Sequence, residues 1–284
     1  LLLNTIPERE YQIAVVLDAD NILSTGSLDK INAAFLKGVR GIQLHRIAKN
    51  SNNQVAIIDG ITEEVNNHLF RRGQQALGFS AHTIGSGMAF ELNELKRIYN
   101  KPGILNNPAC DREVDFEIMK KGIQIKFLDN VYIYDEKVST SKVFLKQRTR
   151  WLESQLYHLK LFIKEEVTTK NTEFWNKLFT VLIPPRVLFI FSFFLAGVFF
   201  LAEKVFEINL LMPAINWWLV LLLVFIITLL LSIPAKLTKY ISFKTFFYLL
   251  LLSFTYLKAF FNIKRKRKEF LHTPKEYNEN PENN

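Results

Sequence analysis

Cysteine is all but absent: Cys110 stands alone among 284 residues, which excludes an internal disulfide and fits a reducing compartment. Charge is scarce over residues 174–261, where Leu, Phe, Ile and Val dominate as they do in membrane segments. So few ionisable groups argue against a transporter or channel, because substrate pathways through a membrane place such groups inside the spans. The opening of the chain has no initiator Met and no signal peptide. Leu1-Leu2-Leu3 is too short to be a targeting segment, and a strand pattern follows almost at once. The expectation is a chain truncated at its amino terminus.

The formal charge is +9, and much of the excess sits in Lys264-Arg265-Lys266-Arg267-Lys268, directly after an apolar stretch. A basic run in that place marks a cytoplasmic juxtamembrane flank, so membrane lipids, and no nucleic acid, are the expected partners. Four zones follow. Residues 1–140 read as a soluble α/β zone, 141–173 as a helix and interfacial linker, 174–262 as transmembrane or interfacial helices, and 263–284 as a basic, then disordered tail. The expected setting is an integral membrane protein of the plasma (inner) membrane, with its soluble zone and tail on the cytoplasmic side.

Within the soluble zone, residues 11–17 (Tyr-Gln-Ile-Ala-Val-Val-Leu) read as a strand covered on both faces, as in a parallel sheet. The strand ends in Asp18-Ala19-Asp20-Asn21, and open α/β sheets hold ligands at the carboxyl ends of such strands. Residues 27–36 predict a helix closed before Gly38, 39–44 the next strand and 55–58 another, with Thr62 capping a helix that carries Val65, Leu69, Ala76 and Leu77. Gly85-Ser86-Gly87 reads as a tight loop before a strand at Met88-Ala89-Phe90. A helix over 111–121, strands over 123–128 and 131–134, and a long helix over 141–165 complete the zone.

Farther on, 187–202 and 215–233 predict membrane spans, with Trp217 and Trp218 as interfacial aromatics. A third apolar segment, 243–261, conflicts with the positive-inside rule if all three cross, because Lys236 and Lys239 would face away from the basic tail. Either that segment is interfacial or re-entrant, or the element at 178–202 does not cross. Both readings stand at this point.

Three places could carry chemistry. Asp18 and Asp20 can hold Mg²⁺ or Mn²⁺ across two phosphates, though a surface turn explains such a pair as well. Asp111 is either a helix N-cap or a general base for an acceptor hydroxyl, with Glu113, Asp115 and Glu117 as neighbouring acids. Gln147, Arg150 and Trp151, at i, i+3 and i+4, put an amide, a guanidinium and an indole on one helical face, suited to a diphosphate and a sugar ring. The plainer alternative packs Trp151 in the core and turns Arg148 and Arg150 to solvent.

Taken in order, these elements resemble the membrane-bound family 2 glycosyltransferases, a group that includes cellulose, hyaluronan and poly-N-acetylglucosamine synthases. Asp18-Ala19-Asp20 is similar to their Asp-x-Asp motif, and Gly85-Ser86-Gly87-Met88-Ala89-Phe90 resembles the segment lining the donor and acceptor sugar site. Cys110-Asp111-Arg112-Glu113-Val114 is similar to their Glu-Asp-x-Glu/Asp-Leu segment, and Gln147 to Trp151 matches Gln-x-x-Arg-Trp. The likeness runs over residues 8–275 and includes Phe270-Leu271-His272-Thr273-Pro274-Lys275.

The resemblance implies an α/β fold, a partial GT-A domain followed by a helical transmembrane region. It implies a metal at Asp18 and Asp20, a base at Asp111, and diphosphate and acceptor contacts at Gln147, Arg150 and Trp151. Gly85, Ser86, Gly87 and Met88 are expected, with Trp151, beside the donor or acceptor sugar. The implied reaction is inverting, metal-dependent hexosyl transfer from a UDP-linked sugar to a glycan or lipid-linked acceptor, with export or synthase subunits as partners. Two departures stand out: Cys110 replaces the usual Glu, and no first nucleotide-binding half precedes Asp18, so these residues alone are expected to be poorly active. The alternative is a catalytically inactive nucleotide-sugar-binding or scaffold subunit.

Overall fold

The computed structural model describes residues 2–102, 104, 110–164, 172–207 and 214–263. The expected basic run at 264–268 and the tail beyond it lie outside the described residues. In chain order the first elements are β1 (Ile13–Val16), β2 (Ile22–Leu23), α1 (Ser27–Leu36), β3 (Gly41–Ala48), α2 (Gln54–Asn67) and α3 (Gly73–Ala76). Then come β4 (Met88–Glu91), α4 (Leu92–Tyr99), α5 (Cys110–Lys120), β5 (Ile125–Asp135) and α6 (Ser141–Lys164). The apolar part holds α7 (Thr172–Leu182), α8 (Arg186–Phe206), α9 (Ile215–Leu231), α10 (Ala235–Thr238) and α11 (Phe243–Phe261).

The strands make a mixed five-stranded sheet in the order β1-β4-β3-β5-β2. Only β3 and β5 run parallel; β4 is antiparallel to both β1 and β3, and β2 to β5. The period of two along β4 sorts its side chains between two layers. Met88 and Phe90 face a layer formed with Leu95, Ile98, Val114 and Ile118 of α4 and α5. Ala89 faces the other, with Ile31 of α1, Ile42, Leu44 and Ile133.

Several expectations are corrected here. β1 is an edge strand of this sheet, paired antiparallel with β4, and its residues are half-buried rather than covered on both faces. The two strands expected at 123–128 and 131–134 are halves of β5, separated where the register against β3 jumps between Leu44 and His45. The odd number of extra residues turns the strand over, so Ile125 and Phe127 serve one layer and Ile133 the other. Asp129, in this bulge, accepts from both Nε and Nη2 of Arg72 at 2.9 and 2.7 Å.

Residues 55–58 are helix, not strand, and Thr62 is mid-helix rather than a cap. Asn53, with φ −152°, accepts the Ala56 amide at 2.9 Å and starts α2, so the β-branched run behind it follows a helical period.

α11 has a mixed character. Leu252, Tyr256 and Ala259 pack against Val55 and Ile58 of α2 and Phe144 and Leu152 of α6, while Phe246, Phe247, Leu251, Phe254 and Phe261 are exposed. Among the described residues, α11 is long and apolar enough to cross a membrane, and α9 is apolar but shorter.

Candidate active site

The turn after β1 is tied down from behind. The Gly87 amide donates to the Val16 carbonyl at 2.8 Å, continuing the β1–β4 pairing into the loop before β4. The Asp18 amide donates to the Ser86 hydroxyl oxygen at 2.9 Å, and that hydroxyl donates to Asn21 Oδ1. The Asn21 amide closes the turn on the Asp18 carbonyl at 3.0 Å, and its side chain donates to Asp135 Oδ1 at 3.0 Å. Asp18 is left exposed and Asp20 half-buried. Ser86 is fully buried, so its hydroxyl serves the shape of the turn.

Behind the turn lies a buried ionic network that composition alone does not show. Arg46 of β3 meets Glu63 of α2 at 2.7 Å, Arg71 meets the same carboxylate at 3.2 Å, and Lys137 lies 2.8 Å from Asp135 and 3.6 Å from Glu63. Burial lowers the pKa of Arg46, but Glu63 and Asp135, with Asp18 adding to them, outweigh it and hold the pKa above the usual value. A permanent cation therefore stands within the field of the Asp18 turn.

Asp111 arrives from the other side. It lies in the first turn of α5, where helix amides favour an anion, and its carbonyl accepts from Thr83 Oγ1 at 3.3 Å. Gly85 runs against it: a Cβ there would stand 3.3 Å from Asp111 Cβ and 3.4 Å from Oδ2. Gly85 also has φ +82°, which L side chains adopt at a cost of about 1–2 kcal/mol. Gly85→Ala is therefore expected to lower both stability and kcat by pressing on Asp111. Paired thermal melts and initial rates check this, and an unchanged kcat per folded molecule would contradict it.

α6 brings the third group. Arg150 is half-buried; desolvation lowers its pKa, and the opposing carboxylates are Asp111 and Asp18. One guanidinium thus feels both acidic motifs. Arg148 does not face solvent. It is 2% exposed, pairs with Asp59 of α2, and sets its guanidinium 3.9 Å from the Trp151 ring centroid and 4.3 Å from that of Phe144. Trp151 is half-buried on this support. Gln147 Oε1 is buried with no hydrogen-bond partner among the described residues. Two cavities, of about 160 and 100 Å³, lie beside Tyr157 and beside Tyr240; Glu113 lines the first, while Asp18, Asp20, Asp111, Gln147, Arg150 and Trp151 line neither.

Asn21, Asp59, Arg148 and the Arg46–Glu63 pair are the supporting residues that sequence reasoning passes over. Asn21 had a signal, since it directly follows the acidic motif. The others are charged residues whose partners are distant in sequence.

A model of the glycosyl transferase family group 2 matches residues 13–261. The chain belongs to that family. Comparison with curated proteins gives no match. As a family 2 glycosyltransferase it moves a sugar from a nucleotide-sugar donor to an acceptor. The match runs from β1 through α11, so the family's extent takes in the Asp18 turn, Asp111, the Gln147–Trp151 face and the apolar helices alike.

Divalent metal is common in this family. Among the described residues no group of three or more His, Cys, Asp and Glu gathers for a metal. Two carboxylates from one turn still fit Mg²⁺ or Mn²⁺, which bind through one or two carboxylates and leave their other positions to water and substrate phosphates.

Proposed function

We propose that this glycosyltransferase transfers a hexose, with inversion and with Mg²⁺ or Mn²⁺, from a UDP-linked donor to a glycan or lipid-linked acceptor at a membrane. What supports it most is the loop before β4, whose Ser86 holds the Asp18 turn while its Gly85 runs against Asp111, with the Arg150 guanidinium in the field of both carboxylates. In this reading Asp18 and Asp20 would hold the metal, and the chemistry it would supply when bound is to offset charge on the diphosphate leaving group. Arg150 stabilises the same diphosphate as it leaves. Asp111 takes the proton of the acceptor hydroxyl as that oxygen attacks the anomeric carbon from the opposite face, and the C–O bond to the diphosphate breaks. Trp151, stiffened by Arg148, offers a ring to the acceptor sugar.

The membrane setting is supported by helices whose apolar faces find no cover among the described residues. On α7, Trp175, Phe179 and Leu182, at i, i+4 and i+7, are all more than half exposed, as are Phe194, Phe199 and Phe206 on α8 and Leu219 and Leu223 on α9. Soluble domains rarely leave so much contiguous apolar surface open. Lys236 and Lys239, between α9 and α11, then belong to the cytoplasmic side together with the catalytic domain.

Nucleotide binding tests the metal assignment. The complete protein is expected to bind UDP more tightly with Mn²⁺ than with EDTA. Asp20→Asn is expected to remove most of that metal-dependent gain, raising the Kd by about tenfold or more, the range for losing a charge-assisted contact. Calorimetry that finds UDP affinity indifferent to metal, or to Asp20→Asn, would contradict this role.

A further inference from the structure

α7 carries a polar face inward. Glu173, Asn176, Lys177 and Thr180, at i, i+3, i+4 and i+7, all meet the soluble domain. The Glu173 carboxylate accepts the Ser80 amide at 3.2 and 3.3 Å, and Asn176 Nδ2 donates to Gln74 Oε1 at 2.8 Å. Lys177 Nζ donates to both oxygens of Asp115, at 2.7 and 2.9 Å, and Thr180 Oγ1 lies 3.3 Å from His82 Nε2. These partners belong to two segments that end at the candidate site. One runs through Ser80 and His82 into Gly85, and the other is α5, where Asp115 stands one turn after Asp111.

Lys177 is 2% exposed and Asp115 9% exposed. Burying such a pair is a poor way to gain stability, because two well-packed apolar residues commonly do as well or better. What an ion pair adds is direction: two hydrogen bonds from one ammonium to both carboxylate oxygens fix how far α5 is rotated and how high it sits. His82 Nδ1 approaches the same carboxylate at 3.8 Å, but burial, with Lys177, Arg71 and Arg112 nearby, holds its pKa well below the usual range. His82 is therefore neutral at ordinary pH, and Lys177 is the cation in direct contact with Asp115.

We infer that Lys177 is a positioning residue for the transfer reaction: by gripping Asp115 it sets where the Asp111 carboxylate stands between Gly85 and Arg150, and it ties that placement to the helix with the exposed apolar stripe. This role presupposes that Asp111 is the base.

The test uses the complete protein in lipid, with Lys177→Met, Lys177→Arg, Asp115→Asn and Asp111→Asn compared per folded molecule. Lys177→Met is expected to lower kcat by about 100-fold, the scale of a misplacement near 1 Å. Metal-dependent UDP affinity should stay at the wild-type value, because Ser86 and Asn21, rather than the Lys177–Asp115 pair, hold the Asp18 turn. Lys177→Arg, which keeps a charged donor, should recover most of the lost kcat. Asp115→Asn keeps the volume and one acceptor; it serves if Lys177→Met does not fold, and the same kcat loss at unchanged UDP affinity is expected of it. Wild-type kcat in Lys177→Met or Asp115→Asn, with Asp111→Asn inactive, overturns the positioning role alone. Equal loss in Lys177→Met and Lys177→Arg also overturns it. Full activity in Asp111→Asn overturns the base assignment and this inference together.

Discussion

Asp111→Asn is expected to lower kcat by about 10²–10⁴-fold, the usual contribution of a positioned general base, while metal-dependent nucleotide binding persists. The substitution separates the two roles that Asp111 can play. Asp111 is the second residue of α5 rather than its N-cap, so its structural role is that of a first-turn anion facing the helix amides, and losing that charge costs only about 0.3–1 kcal/mol and no chemistry. A base replaced by Asn loses the atom that accepts the proton. The side chain keeps its volume beside Gly85, so the loop need not move. Initial rates with donor saturating, beside a UDP titration, check the expectation. Wild-type kcat in Asp111→Asn would leave Asp111 only the role of a first-turn anion in α5.

Glu63→Gln is expected to destabilise the fold by about 3–5 kcal/mol, the cost of breaking a buried ion pair from one side. Glu63 is 4% exposed and answers three cations, Arg46, Arg71 and Lys137. Burial pushes its carboxyl up, but Arg46, Lys137 and Arg71 outweigh burial and hold the pKa well below its ordinary 4.5. A depressed carboxyl stabilises the fold fully above its unfolded value, and that stability is lost as pH falls from there toward the folded value. Wild-type stability should therefore begin to fall below about pH 6.5, where His82 and His158, held low by burial, take up protons on unfolding, and should fall further below about 4.5, with Glu63 contributing to that acid limb. The Gln variant should be less stable at neutral pH and show a shallower acid limb, since one titrating group is gone. Urea titrations at neutral pH and near pH 4 read both effects. Equal stability of the two proteins at neutral pH would contradict the assignment of this network as a support for the Asp18 turn.

Local pattern carried much of the architecture. The helix at Ser27–Leu36 is recognisable from its apolar spacing and from the glycine after it, and the one at Cys110–Lys120 from its acidic start and Lys-Lys-Gly end. The strand at Met88–Glu91 follows the glycine loop as expected, and the apolar helix at Phe243–Phe261 has the bounds that its composition marks. What misled was local too. Val55, Ile57 and Ile58 have strand propensity, and only the Asn53 cap with a buried helical face makes them helix. The order of the sheet was not legible, because nothing in β1 announces that its partner is β4 rather than the next strand.

The candidate site divides along the same line. Motif residues could be named because their spacing is short: Asp18 with Asp20, and Gln147 with Arg150 and Trp151. Their supports could not, since each is a pair of charges far apart in sequence, Arg148 with Asp59 or Lys177 with Asp115, and each half alone looks like a solvated surface residue. Ser86 shows the opposite case. Its place beside the site follows from the motif, but its burial and its two hydrogen bonds to the Asp18 turn could only come from the three-dimensional arrangement.

The central claim is that the Asp18 turn, Asp111 and Arg150 form one site for sugar transfer from a nucleotide sugar. Release of nucleoside diphosphate by the complete protein in lipid, from a panel of nucleotide sugars with and without Mn²⁺ and with glycan and lipid acceptors supplied, tests it most directly. The predicted result is metal-dependent release from a UDP-linked hexose that is lost in both Asp111→Asn and Arg150→Ala. Folded protein that releases nothing from any donor, or release that survives both substitutions, would contradict it.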